Sequence, residues 1–229
     1  MRLAVVLQIL LLGLMLNGGA GASDAPRVVV SIKPLHSLLA GLMHGIGEVQ
    51  LLIDDGAAPW DFEPDAAQLQ AIDRAALVVW SGPELEPGLA GPLASPGLHG
   101  QVFEVLGSEV LKVLPVRDGP GRRDPFYWLD SRNMLILLDV FAQQLIAIDP
   151  DRTPAYERNW QHAAEALSRI DRVMEFAYRD VSAAPVFFYH DTHQYFEQAY
   201  AMHVAGAVVQ VSGGESSDAE QLLAARGAI

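Results

Sequence analysis

The sequence predicts an α/β fold of two Rossmann-like lobes with parallel sheets, joined by a long rigid helix, the second lobe incomplete. Three observations carry this reading. Short β-branched runs alternate with helical stretches in the first half of the chain, the pattern of a parallel, doubly wound sheet. A single apolar stripe then runs unbroken from Tyr156 to Ala177. Only two strand-like runs follow it, too few for a sheet that is stable by itself.

Val28 to Ile32 is a short β-branched run that reads as a buried strand. Pro34 opens a helix through Leu35, Leu38, Leu39, Leu42 and Met43, ending near Gly45. His36 and His44 on that helix read as packing or surface residues. Val49 to Ile53 is the second strand, Asp65 to Ala75 a helix, and Leu77 to Trp80 the third strand. From Ser81 to Gly100 glycine and proline interrupt every run, and no element is assigned there. A short strand near Val102 to Val105 completes the first sheet, and Val116 to Arg123 is a loop.

Ser131 to Ile148 is apolar and helical in length, stopped by Asp149-Pro150. Thr153-Pro154 supplies an N-cap and a proline at the first helical position. Tyr156, Trp160, Ala163, Leu167, Ile170, Val173 and Ala177 then recur at four- and three-residue steps, one face of a helix from Pro154 to Asp180. Such a helix is about 40 Å long and reads as a strut, its stripe as core. His162 falls off the stripe and faces solvent. Val186 to Tyr189 and Gly206 to Val211 are the strands of the second lobe, with helices at Asp191 to Tyr200 and Ser217 to Ala225. The expected domains are 1–22, a leader; 23–130, the first lobe; 131–180, a helical segment; and 181–229, a partial second lobe.

The leader reading rests on Arg2, an apolar run from Leu3 to Leu16, and the small residues Ala20-Gly21-Ala22. That is the layout of an export signal, and the run is short for a membrane span. Fifteen basic residues, Arg2 among them, stand against 28 acidic ones, for a net charge of −13. This balance argues against nucleic acid or an anionic membrane as partner. With no cysteine there is neither a disulfide, a thiolate site nor a lipidated cysteine in the sequence. No nucleophile–base pair, phosphate-binding glycine loop or HExxH pattern is present, so the sequence does not read as an enzyme.

Ligands of open parallel sheets bind beyond the carboxyl ends of the strands. Three stretches are placed to meet there: Gly56-Ala57-Ala58-Pro59-Trp60-Asp61-Phe62, Asp124-Pro125-Phe126-Tyr127-Trp128-Leu129-Asp130, and Phe187 to Phe196 with His190, Asp191 and His193. These stretches bring the imidazoles of His190 and His193 and the carboxylates of Asp61 and Asp191.

With those stretches the chain resembles the periplasmic solute-binding proteins of zinc and manganese ABC importers, especially the zinc-uptake branch. Ser31-Ile32-Lys33-Pro34-Leu35-His36-Ser37, Gly56-Ala57-Ala58-Pro59, Val78 to Glu86, Asp124-Pro125-x-x-Trp128-Leu129-Asp130 and His190-Asp191-x-x-x-Tyr195-Phe196 carry the likeness. The resemblance implies Zn2+ as transported ligand, captured between the lobes. It also implies an ABC permease and its ATPase in the inner membrane as partners, and a periplasmic location. It further implies a zinc site of four ligands, of which His190 is retained, with His193, Asp61 and Asp191 as weaker additional ones. Asp191 alternatively caps the following helix, and His193 alternatively lies on the surface. The family's first two histidines fall on Trp60 and Phe126, and the fourth ligand, an acid, belongs to later strands. A second reading stands beside this one: a degenerate paralogue with no metal site, its aromatic cleft serving a non-metal binding or regulatory role, or an unstable fragment.

Overall fold

The computed structural model describes residues 25–54, 56–117, 121–180 and 183–209. The expected leader, the helix at Ser217 to Ala225 and the last two residues of the strand expected at Gly206 to Val211 lie outside them. The first sheet has four strands, β1 (Val28–Val30), β2 (Val49–Leu51), β3 (Leu77–Trp80) and β4 (Gln101–Glu104), in the order β2-β1-β3-β4. Every pairing is parallel. β1 and β3 are central and buried along their whole length, as parallel strands covered on both faces must be.

The helices of this lobe are α1 (Lys33–Leu42), α2 (Ala66–Arg74) and α3 (Pro87–Leu93). Asp65 caps α2 in a capping box: its carboxylate accepts from Gln68 N at 2.8 Å while Gln68 Oε1 accepts from Asp65 N at 2.8 Å. Asp65→Ala should therefore cost about 1 kcal/mol, read as a lower midpoint in urea with an unchanged slope. α3 lies in the stretch where no element was expected. Two glycines and Pro92 depress its propensity, but Leu89 and Leu93 are buried in the core and hold it there. Gly88 is obligatory at this place, because a β-carbon would sit 2.1 Å from the Phe62 carbonyl oxygen.

α4 (Ser131–Ile148) follows the sequence expectation, with the Asp130 carboxylate capping it through Arg132 N at 2.9 Å. By length and composition it could cross a membrane. Its Met134, Leu137, Leu138, Phe141 and Leu145 instead pack into the first lobe, Phe141 edge-on to Phe103 at 5.7 Å. α5 (Thr153–Arg179) is the strut of 27 residues. Thr153 is its first residue rather than its cap. The Thr153 hydroxyl donates to the Pro150 carbonyl at 2.8 Å, closing a short 3-10 turn. The corner between α4 and α5 is fixed by Tyr156, whose buried hydroxyl donates to Asp149 Oδ2 at 2.9 Å. Asn159 ties the strut to the end of α1 by donating to the carbonyls of Leu42 (2.7 Å) and His44 (2.9 Å).

The stripe of α5 divides in two. Tyr156, Trp160, Ala163 and Leu167 pack on the core, as expected. Ile170 and Val173 are 56% and 60% exposed, and Ala177 is also exposed. The reading of the whole stripe as core is thus corrected for its second half. Helical periodicity marks a face but not what covers it, and this half runs past the first lobe.

The second sheet pairs β5 (Val186–His190) with β6 (Val204–Val209), again in parallel. Between them α6 (Gln194–Ala199) is shorter than expected. Its Phe196 meets Tyr178 of α5 edge-on at 5.1 Å, so the strut touches both lobes.

Candidate functional site

The carboxyl ends of β1 and β3 converge on one buried acid. Glu86 is fully buried, with Oε2 accepting from Ser81 N and Gly82 N, each at 3.1 Å. Its Oε1 accepts from the Ser31 hydroxyl. Burial pushes this carboxyl up to about 7, against the pull of those donors. Gly82 holds φ at +138°, which lets the turn bend its amide toward Glu86. The Ser81 hydroxyl, 3.1 Å from the Tyr127 hydroxyl, extends this network to the second cleft segment.

The segments 114–117 and 121–124 sit between the lobes, joined by an antiparallel bridge between Pro115 and Arg123. Arg123 fastens them to the first lobe through Glu84 and, at 2.9 Å, Glu104. α6 fastens them to the second. Tyr195, 1% exposed, accepts from Leu114 N at 2.8 Å and donates to the Asp124 carbonyl at 3.1 Å. Gln194 Nε2 donates to the Pro115 carbonyl at 2.9 Å. Arg117 pairs with Asp191 at 3.2 Å and with Glu197. Asp124 is buried beside this group and accepts from Phe126 N at 2.9 Å. Burial raises its carboxyl to about 6, and the nearby Asp191 adds to the shift.

The three cleft stretches meet through this scaffold. Gly56, Ala57 and Pro59 of the first share a hollow of about 280 Å³ with Trp128 of the second, closed by Ile32, Pro34 and Leu85. Trp128 stands edge-on to Phe126 at 5.4 Å. The Asp124–Phe126 segment in turn lies against α6, next to the end of β5 that bears His190.

Each candidate donor has a defined place. His190 is exposed at the carboxyl end of β5, its ring edge-on to Tyr189 at 4.7 Å. His193 is half-buried rather than on the surface. It lies flat on Phe188 with centroids 4.1 Å apart, Nδ1 being 3.1 Å from the Thr192 hydroxyl. Asp191 is not the cap of α6. His193 holds the cap position, and Asp191 turns to Arg117 because a guanidinium is the stronger partner for a carboxylate. Asp61 is exposed on the 3-10 turn Pro59–Asp61, beside Trp60, which is 60% exposed. Among the described residues no three histidine, aspartate or glutamate side chains form a group that could hold a metal ion. Sequence reasoning missed Glu86 and Arg117. Arg117 is one of four basic residues between Lys112 and Arg123, and nothing local singles it out. Glu86 closes the Val78 to Glu86 stretch without any sign there that its carboxylate is buried.

A family model described as the periplasmic zinc-uptake complex component A matches residues 28–229. The chain belongs to this family. Its relatives include the high-affinity zinc uptake system protein ZnuA of Brucella abortus, 26% identical over 232 residues, which cover 83% of this chain and 70% of that protein. Among solved structures, a crystal structure of ZnuA superposes with a TM-score of 0.76 at 22% identity, over 88% of this chain and 78% of the other. The Zn(II)-bound ZnuA-like domain of Streptococcus pneumoniae AdcA gives a TM-score of 0.70 at 22% identity, over 85% and 71%. The zinc-uptake component A fold of two α/β lobes and a connecting helix is thus the fold of this chain.

Proposed function

We propose that this protein is the periplasmic metal-binding component of an ABC importer, capturing zinc between its lobes for delivery to a membrane permease and its ATPase. The match to the zinc-uptake component A family over residues 28–229 carries this reading. The convergence of the three cleft stretches at the carboxyl edges of both sheets supports it, since that is where open α/β sheets bind ligands. His190 is the donor that the reading depends on. Asp191 and His193 can assist only by leaving their present partners. Asp61 is exposed beside Trp60, and Trp60 and Phe126 stand at the cleft stretches without donating. The relatives are transport proteins, which favours a carrier over an enzyme. The leader read at 1–22 would direct export.

The test is the metal content of protein isolated from the periplasm of zinc-replete cells. About one zinc per chain is expected, with loss of at least about tenfold in affinity for His190→Ala, since removing one of roughly four donors opens the site. A metal-free isolate that takes up no zinc on re-addition, free or chelated, would sink the reading. The engagement of Asp191 and His193 favours the second reading, a paralogue without a metal site, and that outcome would establish it.

A further inference from the structure

The stretches 56–62, 124–130 and 187–196 contain no lysine or arginine. Arg117 nevertheless brings a positive charge to the last of them. Its Nε lies 3.2 Å from Oδ1 of Asp191, the neighbour of His190 in the chain. Its Nη2 is paired with Glu197, and Asp124 also attracts it. The exposures decide which partner can move. The Arg117 side chain is 39% exposed, against 10% for Asp191 and 9% for Glu197. A guanidinium on a long, partly exposed stem can swing into water, whereas the two carboxylates are held in the fold. Glu197 also keeps its Oε1 buried with no hydrogen-bond partner among the described residues. One guanidinium thus leaves acceptor capacity unfilled in this corner.

We propose that Arg117 is an internal counter-ion that competes with the cargo metal for Asp191 and so sets the affinity of the His190 site. With Arg117 in place, Asp191 is withheld from a metal, and a positive charge lies beside the incoming dication. Both effects weaken capture. When Arg117 turns into solvent, Asp191 becomes a carboxylate donor next to His190, a ligand type that zinc accepts. Capture then exchanges one cation for another, and it loosens one of the ties between segment 114–117 and α6. This inference rests on the metal-capture reading above and adds the residue that tunes it.

Zinc is titrated calorimetrically into metal-stripped protein, wild type and Arg117→Gln. The glutamine amide can still donate to Glu197. Arg117→Gln should bind zinc about tenfold more tightly, the scale on which a residue acting through a ligand alters metal affinity. Adding Asp191→Asn to Arg117→Gln should remove that gain. A residue that merely pinned the lobes together would act in the opposite sense, its loss loosening the site and lowering affinity. Should Arg117→Gln fail to fold, wild type carries the test. The Nε–H resonance of Arg117, identified by its disappearance in Arg117→Lys, should move on zinc addition as the bond to Asp191 breaks. Equal or weaker zinc binding by Arg117→Gln, a gain that survives Asp191→Asn, or an unmoved Nε–H resonance at saturating zinc overturns the proposal and leaves metal capture standing. Zinc bound by neither wild type nor Arg117→Gln overturns both.

Discussion

Tyr195→Phe is expected to destabilise the protein by roughly 2–4 kcal/mol, because one hydroxyl satisfies two buried backbone groups at once. The Leu114 amide donates to it at 2.8 Å and the Asp124 carbonyl accepts from it at 3.1 Å. Phenylalanine keeps the ring in its buried place and orphans both groups, each costing about 1–3 kcal/mol. Most of the loss should fall on the junction between the lobes. The segments 114–117 and 121–124 are otherwise joined to α6 by Gln194 and by the partly exposed Arg117. Hydrogen exchange should therefore quicken in α6 and β5 well before it does in β1 and β3, which are buried in the first core. Urea midpoints within about 0.5 kcal/mol of wild type, or uniform quickening across both sheets, would show that the hydroxyl is not the pin.

That junction was the least legible part of the chain. Strands β1 and β3, α4 and the strut could be read locally, since β-branched runs, an apolar stretch of helical length and the Asp149-Pro150 stop act within a few residues of themselves. α3 defeated the same reasoning because its glycines and prolines oppose a helix locally. Burial of Leu89 and Leu93 and the close approach of Gly88 to Phe62 override them. The second half of the α5 stripe failed in the opposite sense: periodicity was present and burial was not. Arg117, Tyr195 and Asp124 lie up to 81 residues from the groups they bind. The sequence expects the Asp124 and Phe187–Phe196 stretches to meet, but nothing in it pairs Tyr195 with the Leu114 amide or Arg117 with Glu197.

The candidate site divides along the same line. His190, Trp60 and Phe126 could be named because their stretches have a recognisable pattern. Their surroundings could not, and those surroundings decide the chemistry. Asp191 could be a donor in sequence, but Arg117 claims it in the fold. His193 is three residues from His190 and lies instead on Phe188. Of the candidate donors among the described residues, His190 and Asp61 stay exposed while Asp191 and His193 are engaged.

Glu86 gives the fold a pH dependence of unusual direction. Its carboxyl titrates near 7 in the folded chain and at the ordinary 4.5 when exposed. Between those values folding takes up a proton, so stability is complete below about 4.5 and is lost as pH rises through 7. A shift of this size corresponds to about 3 kcal/mol for a fully buried group. Asp124, raised to about 6, adds a smaller loss over the lower part of the same range. Glu86→Gln separates the two. The amide oxygen can still accept from Ser81 N and Gly82 N, and its nitrogen can donate to the Ser31 hydroxyl oxygen, so the neutral network survives. The variant should equal wild type near pH 4.5 and exceed it by about 3 kcal/mol above pH 7.5 in urea unfolding. Curves that run parallel across that range would mean the Glu86 proton plays no part. The same residue joins Ser31 on β1 to the Ser81–Tyr127 contact, so the effect should reach the cleft. Indole emission from Trp128, adjacent to Tyr127, should shift through pH 7 in wild type and stay level in Glu86→Gln, with Trp128→Phe identifying the signal.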